Sequence, residues 1–178
     1  MASSTNAVTG KHDTVTLAFE SEGCVMATWK NLMVVAWAKA ATLEISKKLE
    51  TASVELIRAY PQGISSVHVI FDKTPLPAAD ARNHLREITE RYAANLACVG
   101  TVIDGGGFWA SAMRSFLTSL HWLSRRPFKA HYASSIAELA DWLPPPHAQK
   151  TGVIIQPAEF ATVMAQLSKA VRSSMTTK

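Results

Sequence analysis

The stretch that most constrains the fold is residues 96–143, where strand-like and helical segments alternate. It begins with Leu96–Ile103, a near-continuous apolar run of the kind found in strands that are buried on both faces. A long helical pattern follows, and Phe128–Ala133 then returns to the strand pattern. Two strands separated by a helix are usually parallel and joined by a right-handed crossover. This stretch therefore predicts the central, parallel part of a sheet.

The preceding residues extend the sheet with a different pattern. Three short apolar segments separated by turn residues predict an antiparallel meander, over Val15–Glu20, Cys24–Trp29 and Leu32–Trp37. The alternative, a helix beginning at Leu32, is less favoured because the third segment is rich in β-branched and aromatic residues. Apolar residues at helical spacing then predict helices before and after a short strand at Val67–Phe71. The predicted fold class is α/β (α+β mixed), with a mixed sheet.

The two ends of the chain have a different composition. Residues 1–13 are rich in Ser, Thr and Asn without an apolar stretch, which predicts a disordered tail and neither a signal peptide nor an anchor. Residues 14–143 carry the predicted domain. Residues 144–178 are predicted to be a Pro-rich linker and tail, extended at Pro144–Pro146 and weakly helical from Pro157. Whether this tail docks on the domain is left open.

Composition excludes several classes of protein. The formal charge of +4 is scattered, and no basic block is interleaved with aromatic residues, so we expect no nucleic-acid partner. No apolar run approaches the ~18 residues that an integral membrane helix needs. Cys24 and Cys98 each lie in an apolar run, and the sequence lacks a secretory segment, which predicts a reduced cytoplasmic protein.

The first candidate site is the turn between the central strand and the long helix, formed by Asp104, Gly105, Gly106 and Gly107. Backbone amides at a helix N-terminus favour an anion, such as a phosphate or a carboxylate. The alternative is a sharp turn that lets Phe108 and Trp109 tuck inward. The turn lacks the G-x-G-x-x-G pattern and the G-K-[ST] ending, and the charge of Asp104 would repel an anion, so the alternative is favoured.

The second candidate site is a polar stripe on one face of the long helix, formed by Ser111, Arg114, Thr118, His121 and Arg125. This stripe would contact an acidic partner or a ligand above the glycine turn. The simpler interpretation is the solvated back of a core helix, and it is favoured. The opposite apolar sector covers more than half of the helix circumference, which predicts deep packing.

Catalytic and metal sites are not predicted. Ser111 or Ser115 can be combined with His121 and Asp104 into a hydrolase-like set, but the G-x-S-x-G pattern is absent. The six histidines never occur as H-x-x-x-H, and neither cysteine is part of a C-x-x-C motif. We expect no cofactor.

Several short motifs of residues 96–143 resemble those of bacterial STAS-like (SpoIIAA-like) domains of unassigned function. They are Gly107-Phe108-Trp109, Ala112-Met113-Arg114, Arg126-Pro127-Phe128 and Ser135-x-x-Glu138-x-x-x-Trp142-Leu143. The resemblance covers about Val15–Leu143 and is topological in its first half. It implies helices mainly on one face of the sheet and a role in binding or regulation. Regulatory members of the wider fold carry a phosphorylatable Ser after an Asp at a strand-to-helix turn, whereas three glycines follow Asp104 here.

Three functional hypotheses follow. The first is a non-catalytic protein-interaction or regulatory module, with an unknown protein partner or a second copy in a homodimer. The second is a small-ligand or lipid-binding domain, with a cavity under the long helix and Arg114 or Arg125 binding an acidic head group or a small anion. The bulky apolar residues of that helix argue against such a cavity. The third, a hydrolase, needs Ser111, His121 and Asp104 to converge.

Overall fold

The computed structural model describes residues 14–21, 23–122 and 127–176, and the side chains of these residues except 119–122 and 170–176. The predicted tail at residues 1–13 lies outside these ranges. The described strands form one sheet in the order β1-β2-β3-β4-β5-β6. Their bounds are β1 Thr16–Ser21, β2 Cys24–Trp29, β3 Leu32–Trp37, β4 Ile64–Ile70, β5 Leu96–Ile103 and β6 Lys129–Ala133.

The direction of the strands divides the sheet into two parts. β1, β2 and β3 are antiparallel neighbours, whereas β3–β4, β4–β5 and β5–β6 are parallel pairs. The predicted mixed sheet, with a meander followed by alternating helices and strands, is confirmed. The β-branched and aromatic residues of Leu32–Trp37 indeed form a strand, and it is buried throughout.

Helices cover both faces of the sheet. Their bounds are α1 Leu43–Ala59, α2 Ala79–Arg91, α3 Gly107–Trp122, α4 Ile136–Trp142, α5 Pro144–Thr151 and α6 Pro157–Thr176. One face, here called the crossover face, packs against α1, α2 and α3 through residues such as Leu49, Ile88 and Met113. The other, here called the C-terminal face, packs against α4 and α6 through Leu139 and Phe160, and α5 lies on the same face against β4 and β5.

The covering of both faces corrects one implication of the resemblance, which placed the helices mainly on one face. The C-terminal segment supplies the second layer. The stretch predicted to be extended at Pro144–Pro146 instead begins α5, with prolines in its first turn. The first N–H groups of a helix have no acceptor within the helix, and the fixed φ of proline suits this position, so prolines are tolerated there.

The predicted weak helix from Pro157 is confirmed, and it packs on the sheet as the 20-residue helix α6. Its apolar residues lie at helical spacing and enter the core of the C-terminal face, where Phe160 and Met164 are both 0% exposed. Residues 144–169 therefore continue the core of the domain.

Hydroxyl side chains fix where two of the helices begin. Thr42 Oγ1 accepts a hydrogen bond from the Ile45 amide at 3.2 Å, at the start of α1. Ser135 Oγ accepts one from the Glu138 amide at 3.1 Å, at the start of α4. Such N-caps satisfy amides that have no acceptor within the helix. The serine half of the capping box predicted at Ser135 is thus confirmed, whereas the Glu138 carboxylate accepts from the Ser134 amide in place of the Ser135 amide.

Candidate functional site

A cavity of about 250 Å³ lies on the crossover face, between the sheet and α1, α2 and α3. Its floor is formed by β3, β4, β5 and β6, and its walls by side chains of the three helices, most of them apolar. Four polar side chains on this floor line the cavity: Ser66, His68, Thr101 and Tyr132. A largely apolar pocket with a few polar groups is the usual form of a small-molecule site.

Strand register brings these polar groups together. His68 pairs with Thr101 across β4 and β5, and Thr101 pairs with Tyr132 across β5 and β6. Ser66 lies two residues before His68, so both side chains leave β4 on the same face. The result is a polar row across the centre of a sheet face that is otherwise apolar.

His68 is held at both ring nitrogens. The indole Nε1–H of Trp37 donates to His68 Nδ1 at 3.2 Å, and Ser66 Oγ lies 2.9 Å from His68 Nε2. Because an indole N–H only donates, Nδ1 must be unprotonated and the ring proton of neutral histidine is on Nε2. His68 therefore donates to Ser66. Burial lowers the pKa of His68 to about 4, which keeps the ring neutral near pH 7.

This direction of hydrogen bonding opposes nucleophilic catalysis. A histidine that activates a serine accepts the hydroxyl proton at an unprotonated nitrogen. Here the nitrogen facing Ser66 already carries the proton, and the other nitrogen faces the Trp37 N–H. Ser66 and His68 thus form a hydrogen-bonded binding surface rather than a nucleophile with its base.

Helix α2 supplies a basic rim. One flank of α2 faces α1, where the Glu50 carboxylate lies 3.2 Å from His84 and also pairs with Arg91. The opposite flank carries Arg82 and Arg86, which line the cavity and are exposed to solvent. Among the described residues that line the cavity, none is acidic. Arg86 Nε also lies 4.0 Å from Glu90 Oε1, one turn further along α2 and outside the lining. Because this exposed pair is weak, the positive charge at the rim still favours an anionic group.

Helix α3 forms another wall, and its position corrects the prediction of deep packing. Only part of its apolar sector is buried. Met113 is buried, Phe116 and Leu117 are half-buried and line the cavity, and Phe108 is 89% exposed. The Tyr132 hydroxyl donates to the Leu117 carbonyl at 2.9 Å, which links this wall to the floor. The prediction failed because the space beneath α3 holds a cavity in place of packed side chains.

The glycine turn lies outside the cavity lining. The Asp104 amide donates to the Ile70 carbonyl at 2.9 Å, and Gly105 contacts Asp72 so closely that a Cβ would lie 2.8 Å from its Oδ1. Gly106 and Gly107 are exposed, with open space around the position of a Cβ. Two carboxylates beside the turn oppose an anion there. The expectation that Phe108 tucks inward is wrong.

The described part of the predicted polar stripe, Ser111, Arg114 and Thr118, does not line the cavity. Ser111 Oγ donates to the Gly107 carbonyl at 3.1 Å, and Thr118 Oγ1 donates to the Arg114 carbonyl at 2.8 Å. Both hydroxyl protons are thus used within the helix. Arg114 is half-buried and does not line the cavity. The side chain of His121 and all of Arg125 lie outside the part that the structure describes.

A second polar cluster is buried on the C-terminal face. Ser65 Oγ lies 2.8 Å from His147 Nδ1 and 3.2 Å from Cys98 Sγ. Burial and nearby Lys30 lower the pKa of His147 to about 4, and burial raises the pKa of Cys98 to about 11. A thiol with such a high pKa is a poor nucleophile near neutral pH. This cluster joins α5 to the sheet.

Comparisons with known proteins leave the family open. No protein-family model and no curated protein matches this chain. The resemblance to STAS-like domains therefore stays a prediction. In the described ranges, none of the helices is sufficiently long and apolar to cross a bilayer. Those ranges also contain no group of three or more His, Cys, Asp or Glu side chains placed to hold a metal ion.

Proposed function

We propose that this domain binds a small anionic amphiphile in the cavity of the crossover face. The observation that carries the proposal is the combination of a largely apolar cavity, which the side chains around it leave open, with basic rim residues and no acidic residue in its lining. An apolar body gains free energy by leaving water for such a cavity, at about 25 cal/mol for each Å² that is buried. A carboxylate or phosphate is most stable where it stays near solvent and close to arginine.

The cavity volume limits the size of the ligand. An engineered apolar cavity of roughly 150 Å³ holds benzene, so about 250 Å³ holds on the order of ten non-hydrogen atoms by proportion. The buried part of the ligand is therefore an aromatic ring with a short alkyl chain, or a short branched chain. The predicted lipid-binding role is narrowed to short amphiphiles. Arg82 and Arg86 replace Arg114 and Arg125 as the candidates for binding the acidic head group.

Isothermal titration with 4-phenylbutanoate tests the proposal. Val99 lines the cavity, and Val99→Phe places a ring inside it. Since overpacking costs about 1–3 kcal/mol, we expect affinity to fall about tenfold or more. Val153→Phe adds the same ring outside the lining and serves as the control. Absence of binding to the wild-type chain, or equal affinity of the two variants, would contradict the proposal.

The other functional hypotheses stay predictions. A protein-interaction or regulatory role through the polar stripe, the cytoplasmic location and the bacterial STAS-like origin each await their own test. The hydrolase hypothesis gains no support from the direction of the Ser66–His68 hydrogen bond. Ligand binding is preferred because it uses the cavity, the polar floor and the basic rim together.

A further inference from the structure

We propose that the floor of the cavity selects a ligand carrying an uncharged carbonyl group in addition to its anionic head. This inference rests on the proposed function and specifies the chemistry of the ligand. It follows from the order of the hydrogen bonds on the floor, which run from Trp37 to His68 and from His68 to Ser66.

The Ser66 hydroxyl ends this series and can donate a hydrogen bond to a ligand in the cavity. Ser66 Oγ accepts from His68, which leaves the hydroxyl proton of Ser66 available. In the described part of the chain this is the one hydrogen bond of the Ser66 side chain. Ser66 is 4% exposed, and it lines the cavity. Leaving a buried donor unsatisfied costs about 1–3 kcal/mol, so a ligand acceptor placed here increases affinity.

The charge of the site decides which acceptor is suitable. Arg82 and Arg86 lie at the rim, whereas the groups on the floor are neutral hydroxyls and a neutral imidazole. A carboxylate on the floor would lose its hydration without gaining a cation, which is costly. A ketone or amide oxygen accepts a hydrogen bond without that loss. Thr101 lies beside His68 and places a second hydroxyl on the same floor.

Two matched pairs of acids test this selection. In each pair one member carries a ketone next to its phenyl ring: 4-phenylbutanoate with 4-oxo-4-phenylbutanoate, and 5-phenylpentanoate with 5-oxo-5-phenylpentanoate. Titration calorimetry gives the ratio of affinities within each pair. For the wild-type chain we expect at least one oxo acid to bind about tenfold more tightly than its partner. Ser66→Ala should reduce that ratio to about one, because both members of a pair then lack the hydroxyl donor.

The neighbouring serine provides the control. Ser65 leaves β4 on the opposite face and bonds to His147, so Ser65→Ala should keep the wild-type ratio. Ser66→Cys, whose thiol donates weakly, should give an intermediate ratio and serves if Ser66→Ala does not fold. Two results would overturn the selection of a carbonyl group while the proposed function stands. The first is that the wild-type chain binds both acids of each pair equally, and the second is that the ratio of affinities persists in Ser66→Ala. Failure of all four acids to bind would overturn both.

Discussion

The two faces of the sheet are each covered by three helices, yet they are packed differently. On the C-terminal face, Leu139, Phe160 and Met164 are all completely buried. On the crossover face, Phe116 and Leu117 of α3 are half-buried beside a cavity of about 250 Å³. Most protein interiors are packed like organic crystals, so a volume of this size that side chains do not occupy is unusual.

The buried polar groups differ between the faces in the same way. On the C-terminal face, His147 bonds to Ser65 in a space with no exposure to solvent. On the crossover face, His68 and Ser66 line the open cavity. A polar group that is enclosed joins structural elements, whereas one that lines a cavity remains available to a ligand. This difference supports the proposal that a ligand binds at the crossover face.

The largest expected effect comes from truncating one phenylalanine on each face. Phe160→Ala removes a completely buried ring, and such changes cost about 3–5 kcal/mol of unfolding free energy. Phe116→Ala removes a half-buried ring that already borders the cavity, so we expect a loss of about 1 kcal/mol or less. Denaturant unfolding at pH 7 measures both. Equal losses would show that the two faces are equally well packed.

Acidification is expected to lower the unfolding free energy by a smaller amount. The folded state holds the pKa of both His68 and His147 at about 4, below the ordinary value of 6.5. Between these values the unfolded chain binds more protons, so stability falls as the pH is lowered from about 6.5 to 4. Each histidine contributes at most about 3 kcal/mol to this fall.

The pH effect also compares the two faces. Since burial lowers the pKa of His68 and of His147 alike, to about 4, His68→Gln and His147→Gln should flatten the pH dependence of the unfolding free energy by similar amounts. Chemical denaturation at pH 7, 5.5 and 4 measures this slope. A change confined to one of the two variants would show that the two faces contribute unequally.

The smallest expected effect is a loss of ligand affinity when the charge of the basic rim, Arg82 and Arg86, is reversed. Exchanging both Arg82 and Arg86 for Glu should weaken 4-phenylbutanoate binding about fivefold at low salt, because exposed ion pairs contribute up to about 1 kcal/mol. The loss should shrink in 1 M salt, and uncharged 4-phenylbutanamide should bind all variants alike. Exchanging both Lys47 and Arg58 for Glu, on the exposed side of α1, changes the net charge by the same amount and is the control. An equal loss in that control would assign the effect to net charge alone.

The regular elements were predictable because their signals are local. The β-branched content of Leu32–Trp37 and the helical spacing of Phe160, Val163, Met164 and Leu167 each determined an element that the structure contains. Pro144–Pro146 misled the prediction, since three prolines suit an extended chain as well as a first helical turn. Helix α5 was missed for this reason, whereas the expectation of helices mainly on one face came from the resemblance.

The candidate site could not be predicted in the same way. Whether the apolar sector of α3 meets packed side chains or a cavity depends on how far apart the elements lie, which no periodicity encodes. A weaker signal was present: Ser65, Ser66 and His68 interrupt an apolar strand, and Ser66 and His68, two residues apart, lie on the same face. Polar residues inside a central strand therefore indicated the site better than the glycine turn or the polar stripe.

Methionine methyl groups report on both faces in one measurement. Met33 and Met113 line the cavity, whereas Met164 is buried on the C-terminal face. In a titration of the ¹³C-methyl-labelled chain with 4-phenylbutanoate, we expect the NMR signals of Met33 and Met113 to shift in a saturable way and that of Met164 to stay in place. Unchanged signals of Met33 and Met113, or a shift as large at Met164, would contradict ligand binding at the crossover face.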